Sequence, residues 1–93
     1  MKVSLQLRGI DVDGAEFEEL TSTDNVSAGG FLCQCRASLF KNSTVDVFLT
    51  SGTERNHVGV ARVARRQDPE TPWQKYGFHF VSRTNNWVLQ PVS

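Results

Sequence analysis

The sequence predicts an all-β protein, a small antiparallel β-barrel of about six strands with little helix. Three observations carry that expectation. Short segments alternate apolar and polar residues with a period of two. Turn-forming Gly, Pro, Asn and Asp separate them. No amphipathic run of helical length occurs before Arg83. Closure would also remove the unpaired edges that a small sheet leaves exposed.

The first strand is Val3 to Arg8, with Val3, Leu5 and Leu7 on one face. Gly9 and Asp11-Val12-Asp13-Gly14 end it, and Asp-Gly is a strong hairpin signal. Glu16 to Asn25 reads as the second strand. Phe17, Glu19, Thr21, Thr23 and Asn25 share one parity, and Leu20 and Val26 lie on the other. Helix competes over Ala15-Glu16-Phe17-Glu18-Glu19-Leu20, but the following Thr-Ser-Thr favours strand. Then comes Thr23-Asp24-Asn25-Val26-Ser27-Ala28-Gly29-Gly30-Phe31, which reads as a strand end, a tight turn and a new strand. Asn25 and Ser27 are two apart and point to one face of an extended backbone. Gly29 and Gly30 permit positive φ and close backbone approach. A plain hairpin turn is the conservative reading of this stretch.

Phe31, Cys33 and Cys35 alternate with Leu32, Gln34 and Arg36 in the third strand. A connection follows, in which Leu39-Phe40 is expected to plug one end of the core. Thr44 to Leu49 and His57 to Arg66 are the next strands, the latter carrying Val58, Val60 and Val63. Arg62 shares parity with Val58 and Val60, so it faces inward only if that strand is bulged. A Pro-containing loop over residues 67–72 cannot join a central ladder. Gln74 to Val81 is the sixth strand, with Tyr76, Phe78 and Phe80 on one face and Gly77 and His79 on the other. The barrel is expected over residues 3–82. In the tail, 83–93, Trp87, Val88 and Leu89 can pack back as a short helix or strand.

Bulk properties narrow the functional classes. With 93 residues the chain has room for one small domain and a modest core. It is 39% hydrophobic and 22% charged, which is ordinary folded composition rather than disorder. Ten basic residues balance ten acidic ones, which removes the bulk electrostatic argument for binding DNA or RNA and leaves only a local basic site open. Neither a long apolar run nor a basic-then-apolar start is present, so no membrane span or leader is expected.

Chemistry-bearing residues are sparse. Cys33 and Cys35 share a strand face but diverge, which is poor disulfide geometry. There is no CxxC pair for zinc. Two buried, free thiols are expected, and these fit a reducing cytoplasm. His57 and His79 are the only imidazoles and read as surface residues. Glu18-Glu19 and Asp11/Asp13 read as solvated carboxylates. No nucleophile elbow surrounds Ser27, and Gly29-Gly30 precedes no helix that would cradle phosphate. No catalytic residue, metal site or cofactor is expected. Arg62, Arg65 and Arg66 cluster at one strand end. Arginine's planar fork suits phosphates and guanine edges, but a solvated strand end explains the cluster equally.

Asn25-x-Ser27-x-x-Gly30 resembles the (Asp/Asn)-x-Ser-x-x-Gly signature of the PilZ domain, a bacterial receptor module for cyclic di-GMP. The strand Phe31-Leu32-Cys33 and the later Tyr76-Gly77-Phe78-His79-Phe80 strand give it a similar setting. The resemblance implies a non-enzymatic effector. Asn25 and Ser27 would hydrogen-bond a guanine, and Gly29 and Gly30 would allow close approach. Guanine's Watson–Crick edge presents N–H donors that Asn and Ser oxygens accept. The family's second motif, Arg-x-x-x-Arg on an arm before the first strand, has no counterpart ahead of Val3, where only Met1 and Lys2 stand. Arg62-x-x-x-Arg66 has the spacing in another element. Two explanations remain open. In one, the domain is cut from a longer chain that holds the arginines. In the other, it is an armless PilZ domain that binds a protein, as in degenerate members tied to pilus or motility machinery. Such a partner would favour an exposed apolar patch, for instance around Trp73 or Trp87. Cyclic di-GMP binding by the chain as given is expected to be weak or absent.

Overall fold

Six strands close into an antiparallel barrel in the computed structural model, which describes residues 2–27, 29–67 and 74–83. The strands are β1 (Ser4–Ile10), β2 (Glu16–Ser27), β3 (Gly30–Cys35), β4 (Thr44–Ser51), β5 (Glu54–Gln67) and β6 (Gln74–Arg83). Their order around the barrel is β1-β2-β3-β6-β5-β4, and β4 pairs with β1 to close it. No helix occurs among the described residues. The helical competitor at Glu16–Leu20 is overridden by pairing, since these residues face Gln6–Ile10 across β1. Gln67, expected in the Pro-containing loop, instead ends β5 opposite Lys75; the rest of that loop, Trp73, the tail beyond Arg83 and Trp87 lie outside the described residues. No described helix is long and apolar enough to cross a membrane.

Alternation builds the interior. Leu5, Leu7, Phe31, Cys33, Val45, Val47, Val63 and Phe78 are buried and point into one core. Phe31 and Phe78 are register partners and stack with ring centroids 5.0 Å apart. Phe80 tilts against Phe31 at 5.7 Å. Offset and tilted aromatic pairs of this kind add rigidity beyond their buried area.

The segment between β3 and β4 crosses one barrel end. Leu39 is fully buried there, whereas Phe40 is 63% exposed, so only the first of the two expected plugs enters the core. Adjacent residues of an extended chain point apart, and Leu39 takes the inward place. Two polar groups hold this crossing. The Leu39 N–H donates to the Tyr76 hydroxyl at 3.0 Å, and that hydroxyl donates to Gln74 Oε1 at 2.8 Å. The Glu19 carboxylate accepts from Arg36 N at 2.6 Å, Ala37 N at 3.1 Å and Cys35 Sγ at 3.4 Å. Glu19 is therefore not the solvated carboxylate that its sequence neighbourhood implies. It replaces ladder partners for amides just past the end of β3.

Both cysteines are free and buried. Burial pushes the Cys35 thiol up to about 12 and the Cys33 thiol higher still, with nearby acidic groups adding to the effect. They pack as small hydrophobes. Asp11, by contrast, shapes the first hairpin. Its Oδ1 accepts from Asp13 N at 2.9 Å and Ala15 N at 3.0 Å, and Gly14 turns the chain with φ of 81°.

Candidate functional site

The β2–β3 hairpin places the signature residues, and a bulge determines where they point. Thr23 pairs with Cys33, but Asn25 pairs with Leu32, so Asp24 is an extra residue in β2. Thr23 is fully buried, and its Oγ1 accepts from Val3 N at 2.9 Å. On a regular strand Asn25 would share its inward face. The bulge reverses the alternation. Val26 packs against the core, while Asn25 and Ser27 are exposed on the outer surface. The expected parity of Asn25 with Thr23 therefore fails, and its failure is what presents Asn25 and Ser27 to solvent. Lys75 of β6 fixes the bulge, with Nζ 3.1 Å from Asp24 Oδ2, reaching across β3 to do so. That ion pair also offsets the charge of Asp24.

Ser27 and Gly30 form the last pair of the hairpin, with Ser27 Oγ 3.4 Å from the Gly30 carbonyl oxygen. The two glycines differ. A Cβ on Gly29 would meet nothing within 4 Å, whereas a Cβ on Gly30 would overlap the Phe78 carbonyl oxygen. Gly30 has no positive φ. It is needed because β6 runs so close, and the Phe80 N–H donates to the Gly29 carbonyl at 2.9 Å. Of the two roles foreseen for Gly30, positive φ is not used and close approach of backbone to backbone is.

Asn25 and Ser27 border a cleft of about 350 Å³ on the outer face of β2, β3, β6 and β5. Leu32, Gly77 and the exposed His79 and Arg65 also line it. The stacked Phe31 and Phe78 lie directly beneath. Among the described residues, no carboxylate lines it. The size is at the lower end for small-molecule pockets. A base and its attached phosphate fit that scale better than a whole dinucleotide does.

Arg65 is the residue that the sequence left among solvated arginines. Val63 pairs with Phe78 and Arg65 with Gly77, so Ala64 is an extra residue in β5. This second bulge turns Arg65 outward although Val63, two residues earlier, is buried. The other cations stand elsewhere. Arg62 is exposed and donates to Asn42 Oδ1 at 3.2 Å, so the inward placement open to it from parity is not adopted. Arg8 lies 3.5 Å from Glu18. His79 is exposed at the cleft, whereas the exposed His57 has Nε2 3.0 Å from Asp46 Oδ1. Among the described residues no three His, Cys, Asp or Glu side chains are grouped to hold a metal.

A family model described as PilZ domain matches residues 2–87. No curated protein and no solved structure matches the chain.

Proposed function

We propose, on the premise that this chain belongs to the PilZ domain family, that it is a non-enzymatic cyclic di-GMP receptor whose base-binding half is the β2–β3 hairpin. The family is a class of signalling and binding domains, and the site supplies the chemistry for one ligand half. The observation that carries the reading is the Asp24 bulge, which turns both Asn25 and Ser27 onto the rim of one cleft. Their side-chain oxygens accept from the N–H groups of a guanine edge. Gly30 brings β3 close enough to β6 for the cleft to have a continuous floor. Gly29 leaves open space at the turn for the approaching ligand.

Affinity is micromolar or weaker in this reading, because a cleft of about 350 Å³ holds a base and its phosphate rather than the whole dinucleotide. The test is titration of the protein with cyclic di-GMP, followed by calorimetry and by amide resonances. Binding that shifts the Asn25, Ser27 and Gly30 amides is expected, and Asn25→Ala with Ser27→Ala should weaken it about 25-fold. Each lost neutral hydrogen bond costs about 1 kcal/mol, or about fivefold. Equal binding by the double variant would overturn the assignment of these residues.

One observation favours a nucleotide-independent protein-binding module instead. Ile10 and Phe40 are 56% and 63% exposed and border a second cleft of about 780 Å³ lined by the β1–β2 hairpin and the segment leading into β4. Exposed apolar residues at a cleft are a common mark of protein contact. This reading gains if cyclic di-GMP moves no amide while Phe40→Ser weakens association with a motility or pilus protein.

A further inference from the structure

We propose that Arg65 is the phosphate-binding arginine of the cleft, contributed by the barrel wall itself. The inference rests on the reading of this cleft as the ligand site, and it adds the group that engages the anionic part of the ligand. Four observations support it. Arg65 lines the same cleft as Asn25 and Ser27. Its side chain lies flat across β6. A Cβ on its register partner Gly77 would sit 3.0 Å from Arg65 Cγ and 3.1 Å from Nε, so only glycine leaves the guanidinium arm this path. Among the described residues, no carboxylate lines the cleft to neutralise it and Arg65 forms no ion pair. Finally, the Ala64 bulge is what turns this residue outward.

The geometry has a direct consequence. A guanidinium donates two parallel N–H bonds to one phosphate, and such charge-assisted pairs are about twice as strong as neutral ones. Asn25 and Ser27 on β2 and Arg65 on β5 face each other across β3 and β6. Asn25, Leu32, Gly77 and Arg65 share one cross-strand row, so a guanine held at the hairpin places its phosphodiester over β3 and β6 on the side of Arg65. Phosphate recognition is then built into the barrel and does not wait on an arm.

The experiment titrates isotopically labelled protein with cyclic di-GMP and, separately, with inorganic pyrophosphate, following the Arg65 Nε–H and the Gly77 and His79 amides. Wild type, Arg65→Gln, Arg65→Lys and Gly77→Val are compared. Arg65 is exposed, so Arg65→Gln should keep the fold, which thermal unfolding checks. Gly77→Val adds a favourable strand residue and displaces the arginine while keeping its charge. Cyclic di-GMP affinity is expected to fall about 10- to 100-fold in Arg65→Gln, the effect of a hydrogen bond to a charged group. Arg65→Lys and Gly77→Val should fall between that and wild type. Should cyclic di-GMP bind and Arg65→Gln keep its affinity within twofold, the proposal is overturned and the receptor reading stands. Should pyrophosphate alone shift Arg65 and lose its effect in Arg65→Gln, the anion site stands and the cyclic di-GMP reading fails. Arg65 resonances unmoved by either probe overturn both.

Discussion

Replacing Gly30 by alanine separates the two glycines of the hairpin and tests the backbone-approach argument directly. The added methyl would overlap the Phe78 carbonyl oxygen, with His79 Cα 3.2 Å away. Both are backbone, so no side-chain rotation relieves the clash, and β3 must move away from β6. Overpacking of this kind costs about 1–3 kcal/mol. Separation also weakens the Gly30–His79 pairing and the Phe80-to-Gly29 bond of 2.9 Å, at about 1 kcal/mol for each bond lost. With the overpacking cost taken at its lower end and both bonds lost, the combined loss is about 3 kcal/mol, from a total of order 5–15 for such domains. The domain therefore still folds at 25 °C but melts about 12–24 °C lower. Gly29→Ala meets nothing within 4 Å and should stay within about 1 kcal/mol of wild type. Thermal unfolding by circular dichroism, with urea midpoints as a check, measures both. A Gly30→Ala protein that melts within about 4 °C of wild type would refute the reasoning. So would a Gly29→Ala protein that is the more destabilised of the two.

Three further outcomes are expected. Ser27→Ala removes a long bond at an exposed position, so it should cost under about 1 kcal/mol while weakening ligand binding; a large drop in melting temperature would make the serine structural. Glu19→Ala strips acceptors from Arg36 N, Ala37 N and Cys35 Sγ, and a loss of about 2–4 kcal/mol should appear with faster hydrogen exchange at residues 36 and 37. The buried thiols make folding sensitive to alkali. Their folded values are raised above the ordinary 9.0, so their contribution is complete below about pH 9 and is lost as pH rises above it, with a slope approaching 1.4 kcal/mol per unit for each thiol. Urea midpoints between pH 8 and 11 should fall less steeply in a Cys33→Ala, Cys35→Ala protein.

Alternation made the strands legible. The inward residues of β1, β3, β4 and β6 follow their parity, and turn residues mark most of the breaks. Local pattern also located the Asn25–Gly30 hairpin. It did not show which way its side chains point, because a bulge adds one residue without changing composition. Asp24 and Ala64 have nothing in their neighbours to single them out as extra residues. Each bulge is visible only once the partner strand is in place, through Thr23–Cys33 followed by Asn25–Leu32 and Val63–Phe78 followed by Arg65–Gly77. Glu19 escaped for a similar reason, since its donors lie at Arg36 and Ala37 in the strand-crossing segment. Arg65 and Gly77 acquire meaning only as a register pair.

Burial explains why the bulges occur where they do. Without the Asp24 bulge, Val26 would turn to solvent and the amide of Asn25 would enter a core of Leu, Val and Phe. A buried, unpartnered amide costs about 1–3 kcal/mol on protein scales. Without the Ala64 bulge, Arg65 would follow the buried Val63 inward and carry its charge into the same core. That penalty is several kcal/mol even after relaxation. The sequence pairs an inward residue with a polar one two positions on at both places, and a regular ladder cannot satisfy both. An unpaired residue in each strand is the cheaper solution. These two of the barrel's bulges lie on β2 and β5, flanking the β3–β6 pair, so the same energetic constraint turns Asn25, Ser27 and Arg65 toward one strip of surface. Gly30 and Gly77 keep that strip low: the first lets the strands close up, and the second leaves room for the arginine to lie down. The cleft is thus where burial forces polar groups outward from both sides over an aromatic floor.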